Sequence, residues 1–403
     1  MKHLVCSNMW NNLTLNIPEQ EVTHCCKMTR YPMSKDQLKE LDGEFNRIPY
    51  FVEQKNKFIK TNELPETCVR CKTSWPNSVW KSWNKWQNKD WSEQELESLL
   101  DEDRTRFIEI FLSTTCNIAC TYCSEAYSSR WADIKGLRRT ENSEWKDLML
   151  ENLYKYIKKY HADDVREDRI IYGVLGGEPL LNLEIFDVLK NIMSLYATPD
   201  KRVQFNITTN LCVKPRVIQN LLDVIKSKPG FTWIITPSID AIGKRAEEIR
   251  DGLDFELFAK NLKTLADSKL LDSINIQPAV NSMSVKYYSE LLEWLTTIFD
   301  PNEFGKSWTI RNNLVYNPVS MSVNILPEKY KQYIDECVKV LEVYPDTQDK
   351  KELLRLLDVV KNNINTKRDE KTLTLVKGFF TRHGKLKNKN YFEIFPELSD
   401  ILI

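Results

Sequence analysis

The sequence predicts an α/β fold: a partial (β/α)6 barrel of the TIM type, with a cysteine-rich segment before it and a helical extension after it. Three observations carry this. Six short apolar runs recur between residues 107 and 315, separated by amphipathic stretches of helical period. Eight of the ten cysteines fall in the first third of the chain, clustered rather than spread. Beyond residue 345 the pattern is helical, over 349–363, before a short closing segment, YFEIFPELSDILI. The implied divisions are 1–103, 104–320 and 321–403.

The expected strands are FIEIFL (107–112), IIYGVL (170–175), VQFNIT (203–208), WIITPSI (233–239), INIQPAV (274–280) and WTIRNNLV (308–315). Expected helices cover 144–160, 183–196, 214–226, 255–268, 285–299 and 328–344. Continuous apolar runs suit parallel strands buried on both faces, and strand–helix alternation gives right-handed crossovers. A full eight-unit barrel takes about 250 residues, so six units imply a partial one. Residues 1–103 show little sustained periodicity but carry a tryptophan run, Trp75, Trp80, Trp83, Trp86 and Trp91. The helical spacing of Trp80, Trp83 and Trp86 reads as packing, with substrate stacking as the other reading.

Lys plus Arg is 57 and Asp plus Glu is 57, giving zero formal charge, which argues against a nucleic-acid-coating protein. A composition of 42% hydrophobic and 28% charged residues excludes a disordered chain. No apolar run approaches the roughly 18 residues of a membrane span. The opening MKHLVCSNMWNN lacks the apolar core of a secretory signal. The expectation is a cytoplasmic, reduced protein without a membrane partner, whose cysteines are metal ligands or catalytic groups.

Cys116, Cys120 and Cys123 form C-x3-C-x2-C just after the first barrel strand, where parallel barrels place their chemistry. Three thiolates on one loop can hold three irons of a 4Fe–4S cubane and leave the fourth open to a ligand. The alternative is zinc, which wants a fourth ligand, and His24 and His161 are remote in sequence. One β/α unit later the second strand ends in Gly176, Gly177, Glu178 and Pro179. Paired glycines let backbone approach a ligand closely, and Glu178 can accept hydrogen bonds from an ammonium group.

The cysteine loop, with Tyr122 before its last cysteine, and the GGEP segment resemble the radical S-adenosylmethionine superfamily. Thr208, Thr209 and Asn210 end the third strand, Ser238 and Asp240 the fourth, and Arg250 follows. The resemblance implies that Ser238 and Arg250 contact the carboxylate of S-adenosylmethionine and that polar strand ends contact its ribose. Thr209 and Asn210 could instead cap a helix or turn, and Arg250 could be a solvated surface charge. Gln277 and Asn281 are candidates to face the adenine. The implied activity is that of a radical oxidoreductase or transferase. Reductive cleavage of S-adenosylmethionine gives a 5′-deoxyadenosyl radical, which takes hydrogen from a substrate C–H bond. An external donor such as flavodoxin or ferredoxin would supply the electron.

Upstream, Cys68 and Cys71 form C-x2-C, Cys25 and Cys26 are adjacent, and Cys6 precedes them. Four separated thiolates (6, 25 or 26, 68, 71) suffice for a fully ligated 4Fe–4S cluster or a four-cysteine zinc site, and spacing does not separate the two. The segment CSNMWNNLTL…VTHCC…ETCVRC resembles the auxiliary-cluster element of SPASM/twitch radical enzymes, placed before the barrel. The likeness continues through SSRW (128–131), SIDAIGKRAEEIR, LVYNPVSMSVNILP and FPEL. It departs at Gln20, where the family has glycine, and at Thr121, where it has arginine. It implies a second 4Fe–4S cluster on Cys6, Cys25, Cys68 and Cys71, with Cys26 as the alternative to Cys25. Such clusters often accompany peptide substrates, so peptide modification is the first substrate class and a small molecule or nucleotide the second. A non-catalytic iron–sulfur or zinc scaffold is the alternative outside enzymes. The cationic, aromatic stretch KGFFTRHGKLKNKNY (377–391) reads as a solvated tail, and Cys212 and Cys337 as buried thiols.

Overall fold

Alternation along the barrel strands decides which side chains meet the helices and which meet the interior. A computed structural model describes residues 6, 8–25, 28–61, 63, 65–68, 92–102, 105–137, 142–164, 166 and 168–402. Cys26, Cys71 and the five tryptophans of the 75–91 run lie outside the described residues.

The strands are β1 (Asn12–Asn16), β2 (Glu21–Thr23), β3 (Tyr31–Pro32), β4 (Phe107–Phe111), β5 (Ala119–Cys120), β6 (Ile170–Leu175) and β7 (Val203–Thr209). They continue with β8 (Thr232–Pro237), β9 (Arg250–Asp251), β10 (Ser273–Ile276), β11 (Ala279–Val280), β12 (Trp308–Ile310) and β13 (Asn313–Leu314). Nine of these form one sheet in the order β12-β10-β8-β7-β6-β4-β1-β2-β3. The six expected strands are its parallel heart, each beside its neighbour in sequence. Their helices lie over 143–160, 184–194, 215–227, 255–268 and 288–298.

The register Ile108–Tyr172–Phe205–Trp233 runs straight across four strands. Tyr172, Phe205 and Trp233 stack in series, with ring centroids 5.6 and 4.6 Å apart, and are buried. The alternate residues, Glu109, Gly173, Asn206, Thr236 and Asn275, line one cavity of about 530 Å³. A sheet whose inner face encloses such a space is curved as in a partial barrel.

The N-terminal segment contributes more to this sheet than its weak periodicity suggests. β1 runs parallel to β4 over five residue pairs, Asn12–Phe107 to Asn16–Phe111, and β2 and β3 extend the edge antiparallel. Met9, Trp10, Cys25, Met28, Phe58, Ile59 and Cys68 pack in a smaller core of their own, with Cys6 against it. Among the described residues, no helix is long and apolar enough to cross a membrane.

The C-terminal region is helical, as expected: α1 (Lys331–Val340), α2 (Gln348–Asn363) and α3 (Glu370–Lys387), then two short helices. The solvated-tail reading of 377–391 is corrected here. Val376, Phe379, Phe380, Gly384 and Tyr391 are buried. α3 packs on the turn Val319–Met321 and reaches the cysteine loop. Lys387 and, just beyond the helix, Lys389 are placed against a carbonyl and carboxylates of the barrel, a tertiary pairing that composition does not reveal.

Candidate cofactor site at the strand ends

The cysteine loop leaves β4 at Phe111 and is pinned at several points. β5 pairs antiparallel with β9, setting Ala119 opposite Asp251 and Cys120 opposite Arg250. Thr121 donates from both its backbone N–H and its hydroxyl to the Ile249 carbonyl, at 2.8 and 2.9 Å. Trp131 Nε1 donates to the Cys120 carbonyl at 2.9 Å, and Ser128 Oγ to that of Ile118 at 2.8 Å. Two-residue ladders of this kind carry no sequence signature.

Cys116, Cys120 and Cys123 line one cavity of about 650 Å³ with Tyr122, Gly176, Gly177, Thr208, Thr209, Asn210, Ser238 and Arg250. The structure thus gathers most of the sequence-derived candidates around one space. Burial pushes the Cys116 and Cys123 thiols up to about 12 and raises that of Cys120 too, although Arg250 opposes the last. In the absence of iron these thiols stay protonated at neutral pH, so iron uptake must displace protons.

The opposite wall is backbone. A Cβ on Gly177 would stand 2.3 Å from the Thr115 carbonyl oxygen and 2.6 Å from that of Thr114. Gly176 has φ +133°, and a Cβ there would stand 2.6 Å from the Ser113 carbonyl oxygen. The Gly177 and Glu178 N–H groups donate to the Ser113 and Thr115 carbonyls, tying the GGEP turn to the cysteine loop.

Glu178 is placed differently from the sequence expectation. It is 1% exposed and lies outside the cavity lining. Its Oε1 accepts from Thr209 Oγ1 at 2.7 Å and from the Leu180 N–H at 3.1 Å, and its Oε2 from the Asn210 N–H at 2.5 Å. Burial raises its pKa to about 7 against these three donors. Its carboxylate organises the end of β7. The glycine backbone is what faces the cavity.

Asp240 is likewise buried beneath the wall. Its Oδ1 accepts from Arg250 Nη2 and from the Ala279 N–H, both at 2.8 Å, and its Oδ2 from the Tyr122 hydroxyl at 2.7 Å. Arg250 is no surface charge. Burial works against its charge, but Asp240 and other neighbours outweigh that and raise its pKa. Its Nη1 reaches Cys120 Sγ at 3.8 Å, and its Nε has no hydrogen-bond partner among the described residues. Asn281 is buried and holds its own loop, donating to Ala279 and accepting from Met283, while Gln277 lines the second cavity. Thr208 and Leu175 line both cavities, so the two adjoin.

Phe379 and His383 of α3 also line the cysteine cavity, and sequence reasoning missed them. Burial lowers His383 to about 4, so its ring is neutral. The one available signal was the aromatic and cationic mixture of 377–391.

The donor set fits an iron–sulfur cluster with an open position: three thiols, a glycine cradle and a buried guanidinium around one space. Among the described residues, no three His, Cys, Asp or Glu side chains converge on a single-ion site. In the N-terminal segment, Cys6, Cys25 and Cys68 share the small core.

No curated protein matches the sequence. Solved structures with similarity include Streptococcus suis SuiB bound to precursor peptide SuiA, at 14% identity and TM-score 0.38, covering 78% of this chain and 65% of that one. SuiB bound to S-adenosylmethionine gives 14% and 0.37, with coverages of 73% and 69%. SuiB crystallised in a third structure gives 12% and 0.36, with coverages of 83% and 73%. This chain spans 65% of the length of the first of these. Residues 110–295 match the family model described as Radical SAM superfamily, and this stretch contains all three cavity cysteines. Over these residues the chain is similar to the radical S-adenosylmethionine superfamily.

Proposed function

We propose that the chain is an enzyme that binds a 4Fe–4S cluster through Cys116, Cys120 and Cys123 and uses it to cleave S-adenosylmethionine. The observation that carries this reading is the meeting of those three thiols with the Gly176–Gly177 backbone on one cavity. When bound, the cluster and S-adenosylmethionine supply one-electron C–S cleavage and, with it, a 5′-deoxyadenosyl radical able to take hydrogen from a substrate C–H bond. The chain's own residues orient and enclose. Arg250 and Ser238 offer donors to the methionine carboxylate, and Gly176 and Gly177 let the backbone approach its amino group. Thr208 and Asn210 line the same cavity and would contact the ribose.

The substrate class proposed is a peptide. Two features support it: the N-terminal cysteine segment, and the second cavity lined by Asn206, Asn275, Gln277 and Asn312. Side-chain amides present both donors and acceptors, as a peptide backbone requires. A small molecule is the second reading, favoured by a cavity of about 530 Å³, a size usual for such ligands. An auxiliary 4Fe–4S cluster on Cys6, Cys25, Cys68 and Cys71, with Cys26 as the alternative to Cys25, belongs to the same proposal. Flavodoxin or ferredoxin is the proposed electron donor, and the cytoplasm the proposed location.

The test is anaerobic reconstitution followed by binding of S-adenosylmethionine. Wild-type protein should take up iron and bind the compound. Replacing Cys116, Cys120 and Cys123 together with Ala should remove one cluster and reduce binding by at least about tenfold, because the open iron is lost as a ligand. Equal binding by both proteins would contradict the assignment.

A further inference from the structure

Lys387 ends the C-terminal helix α3, about 270 residues from the cysteine loop it touches. Its side chain is 1% exposed. The ammonium donates to the Ala119 carbonyl at 2.6 Å, one residue before Cys120, and lies 4.5 Å from the centroid of the Trp131 ring. The same tryptophan donates to the Cys120 carbonyl and meets the His383 ring edge-on. The carboxylate facing Lys387 is Asp251, at 3.9 Å. Asp251 is more closely engaged by Lys389, which also reaches Glu248 at 2.6 Å. The carboxylate nearest Lys387 is thus shared with a second cation, and the ammonium's short contact is to the cysteine loop itself.

We propose that Lys387 is a positioning residue for the cluster of the Cys116–Cys123 loop, holding the Ala119 carbonyl and setting the cluster's reduction potential through its buried charge. The proposal rests on the reading of this loop as a 4Fe–4S site. Three thiolates give such a cluster negative charge, and reduction adds another electron. A cation enclosed with the loop favours the reduced state, because charges interact strongly where water is excluded. Cluster potentials respond to net charge and to hydrogen bonding in this way. Arg250, on β9, is another cation against the loop, at Cys120 Sγ. Lys387 differs from it in coming from outside residues 110–295, so the C-terminal extension contributes to the cofactor site.

The experiment compares wild type, Lys387→Met and Lys387→Arg as reconstituted full-length chains, by redox titration followed by electron paramagnetic resonance. The relevant cluster is the one whose signal changes when S-adenosylmethionine is added. Lys387→Met keeps the length and the ring contact but loses the charge, so its potential should shift negative. Lys387→Arg should restore a potential close to wild type. An unchanged potential in Lys387→Met, with the cluster present, overturns the proposal and leaves the cluster assignment standing. If Lys387→Met takes up no iron, Lys387→Arg decides. Iron uptake at a near-wild-type potential upholds the role of the charge, and loss of iron in both variants overturns it in favour of packing. Wild-type protein with no cluster at these cysteines overturns both this proposal and the reading beneath it.

Discussion

Glu178 shows what a motif conveys about a residue and what it leaves out. GGEP located the carboxylate at the correct strand end, but its direction depends on Thr209, Asn210 and Leu180, whose donors take up both oxygens. Only the folded chain brings those donors within reach. Removing the side chain in Glu178→Ala would leave three buried donors without their acceptor, and should cost about 3 kcal/mol in unfolding free energy. Glu178→Gln tests the protonation. Burial raises the carboxyl from 4.5 to about 7, so the folded state holds a proton that the unfolded state has released. That contribution to stability is complete below about 4.5 and is lost as pH rises through about 7. Denaturant midpoints measured across this window should fall with pH more steeply in wild type than in Glu178→Gln. Parallel curves would mean that the carboxyl titrates alike in both states.

At the scale of elements, the six parallel strands were legible because short apolar runs alternate with amphipathic helical stretches. β1 was not. NLTLN is short, half polar and followed by a turn, and its place beside β4 is settled by pairing across roughly 95 residues of chain. The docking of α3 was hidden for the same reason, since Lys387 and Lys389 look solvated until Ala119, Glu248 and Asp251 are brought to them. The joint between the GGEP turn and the cysteine loop offers a direct test. In Gly177→Ala the new methyl group would meet the Thr114 and Thr115 carbonyls, both backbone atoms with little freedom to yield. The variant should lose at least about 2 kcal/mol of stability. It should also take up less iron, because the loop that presents Cys116 must move. Wild-type melting and iron content together would show that the two turns are not coupled.

Over the whole molecule, the sheet joins the two ends of the argument. The strands of one edge come from the N-terminal segment, the rest from the barrel, and α3 closes over the strand ends. A cluster in the N-terminal segment would staple a small core against which Cys6 packs and which holds Cys25 and Cys68. Two cubanes require about eight irons per chain. The Cys68→Ala, Cys71→Ala double variant should retain about four, and should still bind S-adenosylmethionine, since Cys116, Cys120 and Cys123 are untouched. Zinc in the wild-type protein, or no metal beyond one cubane, would remove the second cluster and leave the first. The central claim is the chemistry of the cysteine cavity, and formation of 5′-deoxyadenosine tests it most directly. Reconstituted wild type given dithionite and S-adenosylmethionine should produce it, and the protein with Cys116, Cys120 and Cys123 all replaced by Ala should produce none above background. Equal production by the two proteins would contradict the account.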